Sequence, residues 1–181
     1  MTTGLVIGRF QPFHNGHEIL VEHALNECDK VIIGIGSAEK CYSNSNPFTC
    51  GERIVMIMRW IHEKKYYDRV TIVPIRNIDK WHLWVRHVQN YCPPFDRVFL
   101  GDNEPIGQLF EKEGIDVRLI GRIQGFSGEW VRRLFNDHFS DHNFGPVSPG
   151  EELGKMIPKS VLEYIKTIHE KNDLEWRIKN V

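Results

Sequence analysis

Short runs of β-branched and apolar residues recur along the chain at Leu5-Val6-Ile7, Val31-Ile32-Ile33, Val70-Thr71-Ile72-Val73, Val98-Phe99-Leu100 and Val117-Arg118-Leu119-Ile120. Runs this short, with few polar breaks, predict strands covered on both faces, as in a parallel sheet. Between them lie stretches of helical length. The stretch from His17 to Glu27 sets Leu20, His23, Ala24 and Glu27 on one side with Ile19, Val21 and Leu25 around it, a broad but mixed apolar face that predicts a helix. Thr49-Cys50-Gly51-Glu52 precedes the apolar run Ile54-Val55-Met56-Ile57-Met58. That is the capping-box pattern, in which threonine hydroxyl and glutamate carboxylate satisfy free N–H groups reciprocally, and it predicts a helix over Cys50 to Lys64. Further helices are predicted at Trp81 to Tyr91, Pro105 to Glu113, Gly128 to Phe135, and from Pro158, a good first helical residue, to Lys171.

β and α therefore alternate, with crossovers long enough for a helix. The predicted fold class is α/β: one domain over residues 1–181, a doubly wound, Rossmann-like parallel sheet of five strands with helices on both faces. Ligands of such sheets bind beyond the carboxyl ends of the strands, where strand order reverses. The loops after Ile7, Ile33, Ile75 and Leu100 become the expected functional edge. No internal repeat is visible, and the irregular stretch Asn136 to Gly154 reads as an extended loop or insertion.

Composition narrows the function classes. Hydrophobic residues at 41% and charged residues at 26% are ordinary for a globular chain and argue against long disorder. A formal net charge of -1 gives no sign of a broad basic surface for nucleic acid or an anionic membrane. Any polyanion site must be a local cluster. The cysteines Cys28, Cys41, Cys50 and Cys92 form no C-x-x-C pair, so reduced thiols and a cytoplasmic location are expected. The first residues carry no signal-like apolar run, and no stretch approaches the roughly 18 apolar residues of a membrane span.

The strongest chemical signal is Gly8-Arg9-Phe10-Gln11-Pro12-Phe13-His14-Asn15-Gly16-His17, between the first strand and the first helix. Gly8 permits a tight turn near a ligand, and Gly16 removes a side chain where a base or phosphate approaches. His14 and His17, across a helix N-terminus, can aim two imidazoles at one anion, and the helix dipole and free N–H groups add positive potential. Such a group needs no nucleophile of its own. Phosphoryl-type transfer chiefly requires alignment and neutralisation of developing charge, which histidines, arginines and Mg²⁺ supply. Arg132 follows Ser127-Gly128 at a predicted helix start, where hydroxyl, free N–H groups and guanidinium can converge on one phosphate.

This segment resembles the signature of the H-x-G-H nucleotidyltransferases. Together with Ile35-Gly36-Ser37-Ala38 and Asn46-Pro47-Phe48-Thr49-Cys50-Gly51-Glu52-Arg53, it is similar to the archaeal-type nicotinamide-nucleotide adenylyltransferases. The likeness continues through Leu83-Trp84-Val85, Pro94-Phe95-Asp96-Arg97-Val98, Val131-Arg132-Arg133 and Pro158-Lys159-Ser160-Val161. The resemblance implies adenylyl transfer from ATP to nicotinamide mononucleotide, with Mg²⁺ bound chiefly through the triphosphate. It implies that Gly8, Arg9, Phe10, His14, Gly16, His17, Gly101, Asn103, Ser127, Gly128 and Arg132 line the ATP site, with His14, His17 and Arg132 catalytic. Ser37, Arg53, Trp81 and Trp84 would face the mononucleotide, Trp84 by stacking on its pyridine ring, and a homo-oligomer is expected by the same resemblance.

The chain departs from the family at two positions. Glu129 stands where a threonine is usual, placing a carboxylate beside the phosphates. Trp81 stands where an asparagine is usual, removing an amide from the acceptor side and adding a second aromatic. These changes keep two alternatives in view: adenylyl or cytidylyl transfer to another phosphorylated acceptor (a flavin, pantetheine or other mononucleotide), and a nucleotide sensor without catalysis. Other patterns carry less. Lys155-Met156-Ile157-Pro158-Lys159-Ser160 has one residue too many for a K-M-S-K-S loop. Gly34-Ile35-Gly36-Ser37 lacks the third glycine of a dinucleotide fingerprint. His138 and His142 with Asp137 and Asp141 read as a solvated polar run rather than a metal site, and no metal ligands are assigned.

Overall fold

The computed structural model describes residues 1–121, 128–139 and 149–170. The chain divides into two compact units. The first comprises Met1–Arg9, His17–Glu39 and Tyr66–Gln124; the second comprises Phe10–Gly16, Lys40–Lys65 and Gly125–Val181.

The first unit is built on five parallel strands: β1 (Thr3–Gly8), β2 (Lys30–Ile35), β3 (Val70–Pro74), β4 (Arg97–Leu100) and β5 (Asp116–Leu119), in the order β3-β2-β1-β4-β5. All five predicted strands are present. Ile120 lies just past β5, yet its N–H still donates to Leu100 O at 2.9 Å. The strand order reverses beside β1, because the chain passes from β3 at one edge to β4 on the far side of β1. The loops after β1 and β4 therefore leave from the switch point.

Period-two alternation sorts the strand residues onto two faces. Leu5, Ile32, Val98 and Leu100 enter a core with Ile75, Val85, Val88, Cys92 and Phe110, which brings in α3 (Trp84–Tyr91) and α4 (Glu104–Lys112). Phe99, one residue out of phase, meets the other face and lies edge-on to His23 of α1 (Asn15–Glu27), with ring centroids 6.3 Å apart. Helices thus cover both faces. Gly4 permits this contact, since a Cβ there would sit 2.8 Å from Phe99 Cε2. The predicted helix over Trp81–Tyr91 is one 3₁₀ turn, Trp81–Leu83, followed by α3. At the start of β4 and β5, Arg97 and Arg118 share Glu27 and Asp116 as partners at 3.1 to 3.5 Å.

The second unit holds the loop Phe10–Gly16 and the helices α2 (Cys50–Lys64), α5 (Gly128–Phe139), α6 (Pro149–Met156) and α7 (Lys159–Glu170). The capping box forms as predicted: Thr49 Oγ1 accepts Glu52 N–H at 3.2 Å, and Glu52 Oε2 accepts Thr49 N–H at 2.8 Å. α2 packs on α7, with the Arg59 guanidinium 5.1 Å from the Tyr164 ring centre, and α5 packs on α6. Helices α5 and α6 occupy both ends of the stretch read as an extended loop over 136–154. Residues 140–148, with Asp141 and His142, lie outside the described residues, as do 171–181. No described helix is long and apolar enough to cross a membrane.

Candidate active site

The chain leaves β1 through Phe10, whose φ of 51° lies in the left-handed region that non-glycine residues rarely adopt. Phe10 is 1% exposed and stacks on Phe13 at 6.0 Å, and Phe13 packs on Trp60 of α2 at 5.1 Å. Gln11 fixes the loop further. Its Nε2 donates to Phe48 O at 2.8 Å and its Oε1 accepts Phe48 N–H at 2.9 Å, so a buried amide imitates a pair of ladder bonds. The polar residue inside the run Phe10-Gln11-Pro12-Phe13 was the only sequence sign of this staple, and it carries no role in the sequence reading.

The loop ends on His14, which is buried. A Cβ placed on Gly128, the first residue of α5, would lie 3.0 Å from a terminal nitrogen of Arg132 and 3.6 Å from His14 Nε2. Three predicted ATP residues therefore converge on one small volume at a helix N-terminus, where free N–H groups favour an anion. Burial, and secondarily the Arg132 charge, lower the His14 pKa to about 4. At neutral pH His14 is an uncharged hydrogen-bonding group, and Arg132 is the fixed positive charge. The other loop residue of this unit, Gly16, is buried. Ser127 lies outside the described residues. Glu129 is exposed on the first turn of α5.

The remaining nucleotide residues belong to the first unit. His17 is half-buried in the first turn of α1, Gly8 ends β1, and Arg9 is exposed. Gly8 O accepts Gly36 N–H at 2.8 Å, and Gly101 O accepts Gly121 N–H at 3.1 Å. Asn103 is exposed at the start of α4, and its side chain makes no capping bond.

The acceptor residues divide between the two units. In the first, Ser37 has a φ of 49°, and its Oγ donates to Asn77 Oδ1 at 3.1 Å. Trp81 stacks on Trp84 at 5.7 Å with planes 29° apart, while Trp84 also meets Phe110 edge-on at 5.4 Å. Trp81 is the open member of the pair, 55% exposed, and Trp84 packs against the core. In the second unit Arg53 is fully buried on α2, its Nε donating to Thr49 O at 3.3 Å. Asn77 lies in a loop with no periodic or motif signal and was not singled out by sequence.

Comparison with known proteins places this geometry. The profile of the cytidylyltransferase-like family matches residues 5–139. The nicotinamide-nucleotide adenylyltransferase of Methanococcus aeolicus is 38% identical, over 94% of this chain and 92% of its own length. That of Pyrococcus abyssi is also 38% identical, over 93% of this chain and 84% of its own. Among solved structures, a bifunctional NMN adenylyltransferase/ADP ribose pyrophosphatase from Francisella tularensis superposes with a TM-score of 0.70 at 21% identity. It covers 96% of this chain, which spans about half of that longer protein (51%). By the family profile and these relatives, the chain belongs to the cytidylyltransferase-like nucleotidyltransferases and, within them, to the nicotinamide-nucleotide adenylyltransferase family.

Proposed function

We infer that the protein transfers the adenylyl group of ATP to nicotinamide mononucleotide, giving NAD and pyrophosphate. The observation that carries this reading is the convergence of His14, Gly128 and Arg132, in a chain whose relatives with that name match over more than nine tenths of its length. A phosphate oxygen of the mononucleotide attacks the α-phosphorus of ATP, the bond from that phosphorus to the bridging oxygen breaks, and pyrophosphate leaves with the bond's electron pair. No covalent enzyme intermediate is required, and the protein's task is alignment and charge stabilisation.

Each residue then has a stated part. Arg132 neutralises phosphate charge with a planar, permanently ionised fork. His14 Nε2, kept uncharged, offers a hydrogen bond to a phosphate oxygen. His17 and the free N–H groups of the first turn of α1 stabilise charge that grows as the bond breaks. On the acceptor side the Trp81–Trp84 pair takes the cationic pyridinium ring, because an indole face attracts positive charge. Ser37 serves the acceptor's ring, and Arg53, fully buried on α2, holds the start of that helix through Thr49 O.

A divalent ion completes the site. A Francisella relative of the same fold was solved with AMP and a manganese ion. Among the described residues of this chain no group of three or more His, Cys, Asp or Glu could hold a metal. We assign that ion as Mg²⁺ carried by the triphosphate, which keeps its waters and few protein ligands and would supply neutralisation of the polyphosphate. The test is a panel of acceptors scored by pyrophosphate release. Nicotinamide mononucleotide should be the preferred one, with NAD as product; faster release with a flavin or pantetheine phosphate would overturn the assignment, as would ATP binding without turnover on any acceptor.

A further inference from the structure

We propose that Asn77 is a specificity-determining residue, whose side-chain amide, oriented by Ser37, reads the carboxamide on the acceptor's ring. The proposal rests on the function inferred above and names a residue outside the family-like motifs.

Asn77 is held at two points. Its side-chain Oδ1 accepts the Ser37 hydroxyl at 3.1 Å, and its backbone N–H donates to Glu39 Oε2 at 3.1 Å. With Oδ1 engaged in this way both Nδ2 N–H groups of this exposed residue stay available, and no described residue accepts them. The Ser37 side of the contact is built under strain. Ser37 sits at φ 49°, just past the end of β2, and left-handed non-glycine residues persist where surrounding structure over-determines them, often at ligand sites. Ala38 N–H donates to Ile75 O at 3.0 Å, tying the same turn to the residue after β3. The amide therefore stands at the carboxyl edge of β2 and β3, on a loop that runs directly into Trp81 and Trp84.

The chemistry selects the ligand. Available N–H groups on an exposed amide recognise a carbonyl oxygen, and Trp81 stands where the resemblance implies an asparagine. An amide four residues earlier in the chain replaces that lost donor. The Glu39 carboxylate on the Asn77 backbone adds negative potential, which favours a neutral carboxamide over a carboxylate at the same ring position.

Steady-state kinetics on the full chain test this, with nicotinamide mononucleotide and its carboxylate analogue, nicotinic acid mononucleotide, as acceptors. Asn77→Ala should raise KM for nicotinamide mononucleotide about five- to tenfold, the size of one neutral hydrogen bond, with KM for ATP unchanged and kcat changed less. Asn77→Asp, which removes the donors and adds a charge, should disfavour the carboxylate analogue a further tenfold or so. Ser37→Ala should raise the same KM by a smaller factor through loss of orientation. An active parent protein whose acceptor KM and acceptor preference are unmoved by all three substitutions overturns this inference alone. A parent that makes no NAD removes the proposed function and this inference with it.

Discussion

The chain leaves its sheet twice by the same device, and the two exits have opposite surroundings. Phe10 follows the end of β1 and Ser37 the end of β2, each a non-glycine residue in the left-handed region, with φ of 51° and 49°. Such a conformation costs on the order of 1 kcal/mol or more, so each must be held by its neighbours. Phe10 is held by burial: rings of Phe13 and Trp60 pack beyond it, and the Gln11 amide closes the loop on Phe48. Ser37 is held by polar partners on an open surface, with Asn77 exposed beside it and Trp81 standing out of the core. The first exit presents buried groups, to which the function inferred above gives the triphosphate. The second presents side chains that can be exchanged without disturbing a core, which is where acceptor preference can change.

The largest consequence falls on the buried exit. Because His14 is held neutral with a pKa of about 4, against an ordinary 6.5, the folded state binds fewer protons than the unfolded state between those values. The stability tied to keeping His14 neutral is fully present above pH 6.5 and is lost as pH falls toward 4. A shift of this size corresponds to roughly 3 kcal/mol. Urea unfolding at several pH values should show the parent losing about that much more than His14→Gln over this window. Equal slopes would mean that His14 is not desolvated, and the buried half of the comparison would fail.

Catalysis comes next. If His17 stabilises charge that develops only as the bond breaks, His17→Ala should lower kcat by roughly a hundredfold or more, the effect of one lost charge-stabilising donor. KM for ATP should move much less, since ground-state binding does not use that interaction. A near-parental kcat in a folded variant would remove the assigned role.

The aromatic pair sharpens the other half. Trp84→Ala should raise KM for the mononucleotide about tenfold and also lower Tm, because Trp84 packs on Phe110 and the core. Trp81→Ala should raise the same KM with little change in Tm, since this ring is 55% exposed. Should only the Trp84 variant affect KM, the ring rests on Trp84 alone and Trp81 is a bystander.

How far the sequence reveals these features depends on whether their signal is local. The strands were readable because β-branched runs are contiguous, and α2 because Thr49 and Glu52 announce its cap within one turn. The loop after β1 stood out because its histidines and glycines cluster between a strand and a helix start. Gln11 and Asn77 were not, because each acts on a partner 37 or 40 positions away along the chain, and an amide's partner cannot be inferred from its neighbours. The neutrality of His14 was equally hidden. It follows from burial and from the later Arg132, whereas the isolated motif reads as two imidazoles facing an anion.

The smallest effect tests whether acceptor recognition is local to its edge of the sheet. Glu27 accepts from Arg97 at 3.1 Å and Arg118 at 3.4 Å, and pairs with His23 at 3.1 Å, at the end of α1 where β4 and β5 begin. These side chains are 24% to 45% exposed, so water and salt screen them and the network contributes little despite its size. Glu27→Gln should lower stability by less than about 1 kcal/mol, and the difference should shrink as salt is raised from low to physiological ionic strength. Asp116 remains to both arginines, so neither guanidinium loses all its charge partners. KM for the mononucleotide should stay at the parental value, because Ser37, Asn77 and Trp81 lie beyond the opposite, carboxyl ends of the strands. A shifted acceptor KM in this variant would show that acceptor recognition depends on the whole sheet rather than on the loops that carry it.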